Sequence, residues 1–147
     1  MSQSDFELIQ NHLARYCFAV DHGSADEIAD LFWDDATLEF GGLHTGRAAI
    51  RACYAAWIRT KRDPVEGLRH LIYVPLIEID GDHASTQTYV DADAHTRRSG
   101  RPVLLRSLYR DRFRKQDGEW RFAHRHIVPM RSLTDAAPRA ESAPAKA

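Results

Sequence analysis

Only two cysteines, Cys17 and Cys53, occur in 147 residues. Both fall inside helical apolar patterns, so a disulfide framework is excluded and a reducing compartment is expected. No apolar run approaches the roughly 20 residues a membrane span needs. Met1 is followed by the polar Ser2, Gln3, Ser4 and Asp5 instead of an apolar signal region, and the expectation is a cytoplasmic protein. Neither sign of charge dominates: 20 basic residues face 21 acidic ones, for a formal net charge of −1. Nothing global therefore favours nucleic acid or an anionic membrane as partner. There is no internal repeat.

What is present is an ordinary globular composition, 44% apolar and 28% charged, at a length suited to one domain with a real core and a small cavity. Eight histidines are more than usual, so mild acidification should raise the net charge. Residues 1–132 are expected to form the domain. The Ala/Pro/charged stretch 133–147 has no period and is expected to be disordered.

The first thirty-odd residues set the organisation. Phe6, Ile9, Leu13, Tyr16, Cys17 and Val20 recur at three- and four-residue steps, predicting a helix over about residues 5–21. Asp21 lies one turn beyond Cys17, at the edge of that stripe, and Gly23 ends the helix. Ser24 with Glu27 is a capping-box pattern that opens a second helix, which buries Ile28, Leu31 and Phe32 and ends near residues 34–35. Residues 36–40 read as a short strand, and Gly41-Gly42 as a turn. A third helix opens at Thr45 or Gly46, with Ile50, Cys53, Tyr54, Trp57 and Ile58 on one face. Residues 61–67 read as a loop.

From Leu68 onward the period becomes two. Residues 68–79 form a strand interrupted at Pro75, which cannot donate to a ladder. Turns at residues 80–82, 98–100 and 116–118 separate three further strands. On the first of these, Ala84, Thr86, Thr88, Val90, Ala92 and Ala94 make one face. Val103, Leu105, Ser107, Tyr109, Asp111 and Phe113 share a face on the next, with Arg106, Arg110, Arg112 and Arg114 opposite. On the last strand Trp120, Phe122, His124, His126 and Val128 share a face. The order is α+β: a curved, mostly antiparallel sheet wrapped on three N-terminal helices to form a cone-shaped barrel.

Arg15-Tyr16, Val20-Asp21-His22-Gly23, residues 29–38, residues 46–50, Arg69-His70, residues 111–113 and residues 117–125 together resemble the SnoaL-like, nuclear-transport-factor-2-like superfamily. The site residues are most similar to those of its scytalone dehydratases. The resemblance spans about residues 5–130. It implies a cofactor-free lyase of the dehydratase type, acting on a small hydrophobic, cyclic or aromatic substrate without a metal. It also implies a homo-oligomer, a dimer or trimer. In that branch Asp21, His70 and His95 match catalytic residues and Ser107 matches a cavity serine. Two water-holding tyrosines fall instead on Val20 and Phe40, and a cavity asparagine falls on Tyr109. Ketosteroid isomerases are similar at Tyr16 but have their base where this chain has Phe40. The hexachlorocyclohexane dehydrochlorinases share the Asp21–His70 pair. An isomerase or polyketide cyclase using the same dyad, and a non-catalytic ligand-binding or accessory subunit, are the alternatives.

The chemistry of the candidates follows from residue type. A carboxylate accepting from one imidazole nitrogen fixes the tautomer and raises basicity at the other. Asp21 and His70 can therefore form an acid–base pair, or be a helix-end acid and an ordinary strand histidine. For His95 two expectations conflict. The resemblance makes it the acid for the leaving group, whereas alternation places it with Tyr89, Asp91 and Asp93, away from the small apolar face. Tyr16, Ser107 and Tyr109 could polarise a carbonyl, with Phe40 and Trp57 among the residues lining the substrate cavity. Parity with Trp120 and Phe122 points His124 into the cone. A metal held by Asp21, His70, His95 and His124 is disfavoured, because no short paired spacing joins them.

Overall fold

The computed structural model describes residues 2–130; the tail expected beyond residue 132 lies outside them. Helix α1 (Asp5–His22) begins at a capping box, with Ser4 and Glu7 satisfying each other's backbone N–H groups. Its stripe buries Ile9, Leu13, Tyr16, Cys17 and Val20 as the period requires, with His12 among them. Phe6, expected on that stripe, is 46% exposed.

The second helix is shorter than expected. Capped by Ser24, α2 spans only Ala25–Ala29. Phe32, expected on its buried face, instead opens strand β1 (Phe32–Glu39). Phe32 is buried in either case. What decides its conformation is tertiary: β1 pairs in parallel with the last strand, β7 (Glu119–Met130). The Phe122 N–H donates to Leu31 O across that junction at 3.0 Å. A three-residue strand, β2 (Leu43–Thr45), returns along β1 and leads through Gly46 into α3 (Arg47–Trp57). The helix continues as a π-helical turn over Ile58–Arg62, which takes up the first two residues of the loop expected at 61–67.

Pro75 divides the next extended segment into β3 (Val65–Ile72) and β4 (Leu76–Asp80). Both pair with the same long neighbour, β5 (His83–Thr96), at its two ends. Strand β6 (Pro102–Gln116) completes the meander. The sheet order is β2-β1-β7-β6-β5-β3, with β4 also on β5. All pairings are antiparallel except β1 with β7. The curved sheet does not close on itself: its ends are β2 and β3.

The small face foreseen on β5 is the inward one, with Ala84, Thr86, Thr88, Val90, Ala92 and Ala94 all buried. Ile9, Leu13, Phe32, Leu38, Ile50, Phe113 and Phe122 fill the narrow end, none more than 1% exposed. Beside this core a cavity of about 550 Å³ is left unfilled.

Candidate active site

Asp21 lies on the last turn of α1, where the helix passes the free edge of β3. That strand pairs with β5 on its other side, with an irregular register between Glu66 and Arg69. The His70 backbone N–H therefore points away from the ladder and donates to Asp21 Oδ2 at 3.0 Å, while the His70 ring Nδ1 meets Asp21 Oδ1 at 2.6 Å. A carboxylate only accepts, so Nδ1 carries the proton and Nε2 presents its lone pair. The side chains of Asp21 and His70 are 6% and 12% exposed. Two donors on one carboxylate hold both the ring plane and its tautomer.

His70 lines a cavity of about 550 Å³ enclosed between α1, α3, β5 and β6. Its walls are apolar, among them Val20, Leu68, Val90 and Ile127. Phe40 and Trp57 also line it, their rings 6.3 and 6.4 Å from that of Tyr54, and the Trp57 ring lies 6.4 Å from that of His70. At the buried end Tyr16 and Tyr54 approach hydroxyl to hydroxyl at 2.5 Å, one donating to the other. Ser107 and Tyr109 also line the cavity, as alternation on β6 required. Burial pushes the Tyr16 phenol up and the Tyr54 and Tyr109 phenols well up, so all three are neutral donors at ordinary pH.

Beneath these rings lies a buried ion pair. Arg125 is fully buried and bonds Asp111 through Nε at 2.7 Å and Nη2 at 2.9 Å. Asp111 also accepts from Thr86 at 3.0 Å. The guanidinium carbon stands 4.0, 4.2 and 4.1 Å from the ring centroids of Tyr16, Tyr109 and Phe122. Burial opposes the charge, but Asp111 more than offsets it and holds Arg125 above its usual pKa. One of its nitrogens, Nη1, has no hydrogen-bond partner among the described residues.

Of the residues singled out from sequence, Tyr16, Phe40, Trp57, His70, Ser107 and Tyr109 come together in this cavity, with Asp21 behind His70. Two do not. His95 is exposed, because β5 and β6 stay in unbroken register from His83 to His95, so alternation carries it to the outer face. His124 is likewise not a cavity residue. Strand β7 bulges at Ala123, the pairing jumping from Phe113–Phe122 to Arg112–His124, and one extra residue inverts parity. His124 therefore turns outward, where its Nδ1 meets the Thr37 hydroxyl at 2.6 Å and its Nε2 lies 3.9 Å from Glu39. His126, expected on the inner face with it, meets Glu39 at 3.2 Å.

The bulge brings Arg125 and Ile127 inward instead. Arg125 and Tyr54 are the members that sequence reasoning missed. Asp111, placed inward by its own strand, was the available signal, since a buried carboxylate calls for a cation. Asp21, His70, His95 and His124 do not converge, and among the described residues no group of three His, Cys, Asp or Glu is placed to hold a metal ion. No described helix is long and apolar enough to cross a membrane.

Residues 2–126 match the SnoaL-like domain. A protein of unknown function from Mycobacterium tuberculosis, solved as an aspartate-to-asparagine variant, is 31% identical over 95% of this chain and 80% of its own, with a TM-score of 0.75. A Novosphingobium aromaticivorans protein assigned provisionally as a scytalone dehydratase shares 21% identity over 90% of this chain and 89% of its own, at a TM-score of 0.78. LinA shares 18% over 86% of each chain, at 0.73. These two are alike in fold. No functionally curated protein matches the sequence.

Proposed function

The chain belongs to the SnoaL-like family, and from that premise we propose that it is an acid–base lyase of the dehydratase type, eliminating water from a small cyclic or aromatic substrate. The observation that carries this reading is His70, oriented from behind by Asp21 at 2.6 Å and lining an apolar cavity. His70 Nε2 would take a proton from a carbon next to a carbonyl. The Tyr16–Tyr54 hydroxyl pair, in the cavity that Ser107 and Tyr109 also line, would receive the carbonyl oxygen and the negative charge that grows there. With His95 on the outer face, the protonated His70 is the group in the cavity that can return its proton to the departing hydroxyl. One imidazole then serves as base and acid in turn, on one face of the substrate.

The exclusion of His95 from the cavity also favours a second reading. Without a dedicated acid for a leaving group, the same dyad can shuttle a proton in an isomerase or cyclase. Mass spectrometry of products from a panel of cyclic hydroxyketones separates them: elimination loses water, whereas isomerisation and cyclisation conserve mass. With the substrate so found, His70→Ala and Asp21→Asn should lower turnover by about 10²–10⁴-fold while circular dichroism stays native. Full turnover in either variant rejects the dyad mechanism.

A further inference from the structure

Two residues lining the cavity carry a formal charge, Lys61 and Asp93. Asp93 is already committed. It is held by the Arg69 guanidinium through three contacts of 2.9, 3.1 and 3.0 Å. Lys61 is the one cation lining the cavity without an acidic partner among the described residues, and it stands at the mouth, whereas the Asp21 carboxylate lies behind His70. Burial sets the place of Lys61: Tyr16, Tyr54 and Tyr109 are buried, whereas Thr60, Lys61, Pro64 and Leu105 are exposed and mark the mouth.

The backbone that presents Lys61 is itself unusual. It belongs to the π-helical turn Ile58–Arg62, a conformation that is rare and concentrated at functional sites. The turn is clamped by its last residue. Arg62 Nη1 donates to Val20 O at 3.1 Å and to Gly23 O at 2.7 Å, tying the turn to the end of the helix that carries Asp21. Arg62 is thus used structurally, and its neighbour Lys61 is left facing the opening. Thr60, also at the mouth, turns its hydroxyl to Ala56 O at 2.8 Å and adds no charge.

We propose that Lys61 is a substrate-binding residue for a carboxylate, and that the substrates are small hydrophobic ring acids which enter ring first and leave the carboxylate at the mouth. The inference rests on the cavity being the substrate site, as read above. The ring would fill the apolar walls, with its reacting end toward His70 and the tyrosine hydroxyls. The ammonium on its flexible stem would close over the trailing carboxylate.

The test compares naphthoate with its neutral amide by titration calorimetry. Naphthoate should bind about fivefold tighter at low ionic strength, the scale of a partly exposed ion pair, and the preference should shrink as salt is added. Lys61→Met, which keeps the stem and removes the charge, should abolish the preference, and Lys61→Arg should keep it. Equal affinity for the two ligands, or a preference that survives in Lys61→Met, overturns the inference. If that happens while His70→Ala still lowers turnover, the inference falls alone and the acid–base reading stands. If Lys61 selects naphthoate but His70→Ala turns over as the native protein does, the acid–base reading falls and the carboxylate site stands.

Discussion

Arg125 is the residue on which the buried end of the cavity depends. It brings a full charge to a place with no solvent, against the rings of Tyr16, Tyr109 and Phe122. Asp111 neutralises it through two bonds. Removing one partner leaves the other charged, buried and unpaired, which costs about 3–5 kcal/mol, whereas replacing both with apolar residues of similar volume costs far less. Arg125→Met and Asp111→Asn should therefore each lower the urea midpoint strongly, and an Arg125→Met/Asp111→Leu double variant should recover much of the loss. Additive losses in the double variant would show that the two side chains act independently. Asp21 differs in kind. Its two bonds go to one residue, His70, so its substitution is expected to affect turnover more than stability.

At the scale of elements, the site is set by how α1 ends. Gly23 closes that helix in extended backbone, with φ −85 and ψ 175, so the left-handed turn that often calls for glycine is not the reason for it here. Space is the reason: a Cβ would meet Glu27 Oε2 at 2.5 Å and the Ala19 backbone O at 2.8 Å. The carboxylate can swing away, but the carbonyl is part of the helix and cannot. Gly23→Ala should cost about 1–3 kcal/mol through overpacking, read as a lowered thermal midpoint. It should also reduce turnover, because Asp21 lies two residues upstream. An unchanged midpoint would mean that the helix end is looser than this contact implies. The π-helical turn and the β7 bulge work at the same scale. One aims Lys61, and the other exchanges His124 for Arg125.

For the whole molecule, the histidine content has a consequence for acid stability, and His12 dominates it. This side chain is buried in α1, where its Nε2–H donates to Leu31 O at 3.0 Å and its ring packs edge-on against Phe113 and Phe122. Burial pushes its pKa down from 6.5 to about 3. The unfolded chain therefore binds a proton that the folded chain refuses between those values. Stability is complete above about pH 6.5 and falls as pH drops, by about 1.4 kcal/mol per unit. At pH 5 the loss is on the order of 2 kcal/mol. His124, also lowered by burial, acts in the same direction. Asp5, Asp35 and Asp93, whose pKa values lie below the ordinary carboxylate value, withdraw their contributions only below about pH 4. Urea titrations between pH 7.5 and 4.5 should show this slope, and His12→Gln should flatten it. A native slope that survives in His12→Gln would place its origin elsewhere.

Sequence by itself determined whatever local periodicity governs. The stripe of α1 placed Tyr16 inward and Asp21 at its edge, alternation on β5 and β6 chose the cavity-facing residues, and Pro75 predicted the break between β3 and β4. The family resemblance supplied the partner of Asp21, which no spacing could. Tertiary structure decided whatever depends on pairing between distant segments. Parallel pairing with β7 drew Phe32 out of a helix and into a strand. A single extra residue at Ala123 reversed the facing of His124 and Arg125. The unbroken β5–β6 register kept His95 outside, against the resemblance. Period and turn chemistry are properties of a few neighbouring residues, so they can be read along the chain. Register shifts and clamps such as Arg62 on the end of α1 arise only when segments tens of residues apart meet.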